Sequence, residues 1–169
     1  MKHFGLSILM LLGLAFSAKA AGEEKVTSSA FSEGGNIPAK YTCDGSDASP
    51  PLQFGGFPAG AKSLVLIVDD PDAPGRLFTH WLVWNMDPKT NSIAEGAGPK
   101  GVQGKNDFGK SAYGGPCPPS GTHRYYFKVF ALDKQLELPA GSGRRELDKA
   151  MKDHVIGQAQ LMGRYSRQK

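Results

Sequence analysis

The sequence predicts a mainly β, largely antiparallel domain, on three observations. Three runs are dense in β-branched and aromatic residues: 63–69, 80–85 and 124–132. Only one stretch carries a convincing helical period. Strands do not alternate with helices, and no internal repeat is visible, so a parallel βαβ sheet or a solenoid is not indicated.

The elements follow in order. Met1-Lys2-His3 is a short basic start, residues 4–16 are an apolar run, and Ala18-Lys19-Ala20 supplies small residues at the two positions signal peptidase reads. This is the pattern of a secretory signal peptide, with cleavage expected after Ala20 and a periplasmic or secreted product. The apolar run, about 13 residues, is short of the ~20 that a membrane-spanning helix needs. Removing 20 of the 169 residues leaves one domain of 149, residues 21–169, enough to bury its own core. Lys2 and Lys19 fall in the leader, so the 20 basic residues become 18 against 16 acidic. That mild, scattered excess argues against nucleic acid as a partner.

Weak strand signals lie at 26–31 and 53–57. Ser63 to Asp69 is a short, continuous run, apolar from Leu64 to Val68, as expected of a buried strand. His80 to Asn85 and Arg124 to Leu132 are the next strong strands. Residues 86–120 show little periodicity, and residues 96–121 hold eight Gly and four Pro. A connection this long is functional or disordered; Phe108, Tyr113 and the Pro-Gly run suggest a rigid, shaped loop. Arg144 to His154 places Leu147, Ala150 and Met151 at helical spacing, with Gly141-Ser142-Gly143 ahead of it and Gly157 as its stop. A last strand is expected over 158–165. The two cysteines, Cys43 and Cys117, form an even set in an exported chain, which favours a disulfide; two free buried thiols are the alternative.

Three clusters could carry chemistry: Asp69-Asp70-Pro71-Asp72-Ala73-Pro74-Gly75, His80-Trp81, and the segment from Tyr113 to Tyr125. Each sits at a strand end, where loops gather into one mouth. Strict alternation puts His123, Tyr125, Phe127 and Val129 on one face, and His80, Leu82 and Trp84 together on another. Imidazole can donate to a phosphate or carboxylate, and Asp70 can fix a histidine tautomer. Glycines 114 and 115 are expected to expose backbone N–H groups to a ligand. Trp81, Trp84, Tyr113 and Tyr125 are expected as cavity walls.

These residues resemble a known family. Asp70-Pro71-Asp72-Ala73-Pro74 followed by His80-Trp81 resembles the first signature of the phosphatidylethanolamine-binding proteins. Gly115-Pro116-x-Pro118-Pro119-x-Gly121-x-His123-Arg124-Tyr125 resembles the second. Tyr41-Thr42-Cys43-Asp44-Gly45-x-Asp47-x-Ser49-Pro50-Pro51-Leu52 is similar to the bacterial, Raf kinase inhibitor-like branch. The resemblance implies a central antiparallel sheet packed on a smaller one, with short peripheral helices. It implies an anion-binding pocket of Asp70, Pro74, His80, Gly115, Pro116, His123 and Tyr125, with Ala73 and Trp81 as lining residues. Nothing after Tyr165 matches the C-terminal helix that flanks the pocket in animal members, which implies a more open pocket here.

The functional expectation is an exported protein that binds a small phosphate-like or phosphorylated anion of the phospholipid head-group type. Membrane contact is expected to be peripheral at most, because no amphipathic basic helix is visible. The alternative is a secreted interaction module acting on an unidentified protein as a kinase- or protease-type inhibitor or effector. Enzymatic activity, a metal and a cofactor are not expected: no nucleophile elbow, metal-ligand set or nucleotide loop is present.

Overall fold

The computed structural model describes residues 22–167; the signal peptide expected over 1–20 lies outside the described residues. Eight strands form two antiparallel sheets. The smaller sheet, in the order β1-β2-β5, joins β1 (Lys25–Thr27), β2 (Leu52–Gly55) and β5 (Ser92–Ile93). The larger has the order β6-β4-β3-β7-β8: β3 (Ser63–Asp70), β4 (Phe78–Met86), β6 (Val102–Gln103), β7 (Thr122–Leu132) and β8 (Val155–Ser166). A short 3-10 turn (Ala39–Tyr41) and one helix, α1 (Arg144–Met151), complete the elements of the described residues.

Every residue of central strand β3 is buried, which explains its unbroken apolar run. Leu64, Leu66 and Val68 face the smaller sheet and pack with Val26, Leu52, Phe54 and Ile93. Val65 and Ile67 face the other way, onto Leu147 and Met151 of α1. Strand β7 is covered on one face only: Tyr125, Phe127 and Val129 are buried while Arg124 is exposed and Tyr126 and Lys128 are half-buried. Its sequence alternates accordingly.

Helix α1 has Gly143 as its N-cap and is tied down by charge as well as by Leu147 and Met151. Arg144 donates to Asp148 one turn on (2.8 Å) and to the fully buried Asp69 (2.9 Å); Lys128 also reaches Asp69 at 2.9 Å. The helix ends earlier than its pattern predicts. Lys152 is extended (ψ 132°) and Asp153 is left-handed (φ 67°), a conformation its short polar side chain tolerates. Gly157 is therefore no helix stop. It lies inside β8, where a Cβ would meet Glu24 at 2.5 Å and Pro58 at 2.8 Å.

The Gly- and Pro-rich stretch is ordered by both sheets. Its β5 pairs with β2, and its β6 pairs with β4. The expected disulfide is formed between Cys43 and Cys117, with Cα atoms 5.4 Å apart.

Candidate functional site

The register between β3 and β4 determines the site. Val68 pairs with Trp81, and the next residue, Asp69, pairs with Thr79. One residue on β4, His80, thus has no partner on β3. It is the extra residue of a β-bulge, which re-aims side chains locally. Leu82 and Trp84 point toward α1, as alternation from Trp81 demands. His80 does not share their face: its ring packs edge-on to Tyr125 (5.2 Å), and beside Phe78 (5.1 Å) and Phe108 (5.4 Å). The strict alternation expected of β4 breaks at this bulge. Trp84 is consequently not a site wall.

Asp70 ends β3 on the same face as Phe78, its cross-strand partner. Asp69, one residue earlier, points to the opposite face and its cations, as the two-residue period requires. His123 Nδ1 donates to Asp70 Oδ2 at 2.7 Å, and the Asp72 N–H donates to Asp70 Oδ1 at 2.8 Å. His80 Nδ1 donates to the Gly114 carbonyl at 2.7 Å. A carbonyl only accepts, so the proton sits on Nδ1 and Nε2 is left to bind elsewhere. Burial lowers the His80 pKa below the ordinary histidine value, opposed by the Gly114 carbonyl and the Asp70 charge.

Tyr125 lies between the imidazoles, its ring stacked 6.4 Å from that of His123. Its hydroxyl is fully buried and has no hydrogen-bond partner among the described residues. The Asp70 carboxylate and the Cys117 N–H lie near enough to act on it, though neither meets full hydrogen-bond geometry. Burial and that charge hold the phenol far above its usual range, so it stays a donor. An orphaned buried donor is costly and calls for a partner.

The rim is clipped shut by Asp72 and Arg124. Two guanidinium bonds (2.7 and 2.8 Å) and the Arg124 N–H (2.9 Å) meet the Asp72 carboxylate. They pull its pKa down to about 2. Ala73 and Pro74 lie in this turn, Ala73 half-buried and Pro74 exposed.

The strap of residues 104–119 backs the site. Glycines 114 and 115 do not offer free N–H groups, contrary to the sequence expectation. Gly114 N–H donates to the His80 carbonyl (3.1 Å) and Gly115 N–H to Asp47 Oδ1 (2.7 Å). Their lack of a side chain serves close packing: a Cβ on Gly115 would lie 2.4 Å from the Tyr41 carbonyl oxygen. The Pro116 carbonyl accepts from the Cys43 N–H (3.1 Å), beside the disulfide. Trp81 is directed elsewhere; its Nε1 donates to Gln103 (3.0 Å) and its ring meets Tyr113 (5.4 Å). Both line a cavity of about 390 Å³ that does not include Asp70, His80 or His123.

The polar site itself is nearly closed rather than open: Asp70 and His80 are 3% exposed and His123 7%. Sequence reasoning missed Asp47, Asn106, Phe78 and Phe108. Asn106 is buried and donates to the His80 and Ala112 carbonyls (3.1 and 2.9 Å) while accepting from the Lys110 N–H (2.9 Å). Asp107 accepts from the Thr79 N–H (2.6 Å). The two residues thus satisfy β4 around its bulge. A polar Asn-Asp pair before an isolated Phe was the one available signal.

Comparison with known proteins agrees with this architecture. The family model described as phosphatidylethanolamine-binding protein matches residues 27–166. The UPF0098 protein PH1269 of Pyrococcus horikoshii is 49% identical, covering 96% of this chain and 87% of its own. A solved structure from Chlamydia trachomatis, CT736, described as a homolog of that family, superposes with a TM-score of 0.83 at 47% identity, covering 86% and 98% of the two chains. Escherichia coli YbcL, described as a new member of the mammalian family, gives 0.79 at 34% identity, covering 86% and 99%.

Proposed function

We propose that this chain, which belongs to the phosphatidylethanolamine-binding protein family, is an exported protein that binds a compact phosphate-like anion between His80, His123 and Tyr125. The carrying observation is the buried Tyr125 hydroxyl, without a geometric hydrogen-bond partner among the described residues and flanked by two imidazoles whose Nδ1 atoms are already committed. A phosphate oxygen accepts from the phenol. The imidazole Nε2 atoms accept from a protonated phosphate, or donate to it once protonated. Asp70 holds His123 in one tautomer and orientation. Its negative charge must be offset for a dianion to enter, so binding takes up protons. Export is supported by the leader pattern and by a disulfide suited to an oxidising compartment.

The test is calorimetric titration of residues 21–169 with inorganic phosphate and phosphoethanolamine, wild type against His123→Ala. Binding by the wild type that disappears in the variant supports the site. A correctly folded wild type that binds neither would refute it.

A further inference from the structure

His80 is 3% exposed and Tyr125 0%, so a ligand reaches them only if something outside them moves aside. Three aromatic rings pack on His80, and they differ in where they sit. Tyr125 is fully buried, Phe78 is half-buried, and Phe108 is 43% exposed. Phe108 is therefore the outermost layer over His80, 5.4 Å ring to ring, and it closes edge-on against Phe78 at 4.8 Å. A large apolar side chain this exposed gains little from its own burial.

The backbone that carries Phe108 is fixed at both sides. Asn106 and Asp107 bind the β4 backbone at His80 and Thr79. Gly109, at φ 80°, closes the turn with a 3.0 Å bond to the Asn106 carbonyl. Movement of the Phe108 side chain about its own torsions, on a rigid turn, is then the least costly opening. Gly114 completes the fit: a Cβ there would lie 2.5 Å from the Phe108 ring.

We propose that Phe108 is the gate and size-determining residue of the anion site, admitting compact anions such as inorganic phosphate and disfavouring those with a bulky ester group. This rests on the anion reading above. A small anion passes during brief excursions of the ring and lets it close again. A phosphomonoester with an aryl group holds the ring open and loses its contacts with Phe78 and His80.

The experiment separates the gate from the ligand. Wild type, Phe108→Ala and Phe108→Leu, each checked for an unchanged fold by circular dichroism, are treated with diethylpyrocarbonate. Acylation is then read at His80 by peptide mass, with half-exposed His154 as the internal standard. Reaction of a buried group tracks its opening, so loss of the cover should raise the His80 rate about tenfold in Phe108→Ala. Phe108→Leu should stay near wild type. Titration with inorganic phosphate and phenyl phosphate should then show their affinity ratio shifting about tenfold toward the ester in Phe108→Ala. An unchanged His80 rate in Phe108→Ala overturns the gate, and an unchanged ratio overturns size selection. A His80 that becomes reactive while none of the three proteins binds phosphate overturns the anion reading, and size selection with it.

Discussion

Replacing His123 by Ala should expose how the site is held together. Asp70 is 3% exposed, and the change removes the 2.7 Å donor from its Oδ2. Taking the donor from a buried, charged acceptor leaves a desolvated carboxylate oxygen and costs upward of about 3 kcal/mol. Asp70 Oδ1 keeps the Asp72 N–H at 2.8 Å, which retains part of the compensation. The expected loss is therefore ~2–4 kcal/mol. Asp70→Asn in the same background removes the stranded charge. The double variant should then be less destabilised than the sum of the single changes, with a coupling of ~1.5–3 kcal/mol. Urea unfolding with the disulfide intact measures all four proteins, and an unchanged m-value certifies two-state comparison. A His123→Ala loss below ~0.5 kcal/mol, or costs that simply add, would refute the reasoning.

Two neighbouring glycines should respond in opposite ways. Gly115→Ala drives a Cβ against the Tyr41 carbonyl oxygen (2.4 Å) and Thr42 Cα (2.9 Å), and should cost about 1–3 kcal/mol by overpacking, read by urea denaturation. Gly114→Ala meets only the movable Phe108 ring at its closest approach (2.5 Å), and should accelerate acylation of His80 with little loss of stability. Because the His80 pKa is depressed by folding, the unfolded chain binds more protons just below the ordinary histidine pKa of about 6.5. Stability should fall as pH drops through that window. His80→Gln should flatten part of the slope in urea titrations, and phosphate should oppose the fall in the wild type. Asp72 titrates near 2 when folded against 3.8, so its contribution is present above 3.8 and lost toward 2; Asp72→Asn should remove that acid limb. Replacing Cys43 and Cys117 by Ser frees a separation of 74 residues and should cost ~4 kcal/mol on the loop-entropy account, measured as a lowered urea midpoint.

The sequence by itself determined the mainly β class, because side-chain burial leaves a local signature. Strand β3 is apolar from Leu64 to Val68 since both its faces are covered, and β7 alternates since one is not. It also favoured the cysteine pair over two free thiols, and the family resemblance in its motifs implied that Asp70, His80 and His123 gather in one pocket. The face to which each points was another matter. Parity counting presumes a period of two, and the extra residue at His80 breaks that period. A bulge is a property of two strands in register, so no single segment declares it. The same holds for Gly114 and Gly115, whose crowding comes from Phe108 and Tyr41, and for Trp81, drawn aside by Gln103. Asn106 and Phe108 lie in a stretch without periodicity, and only the tertiary structure lays them on His80. Composition and pattern report which residues are buried; register and close approach between distant segments decide which of them meet.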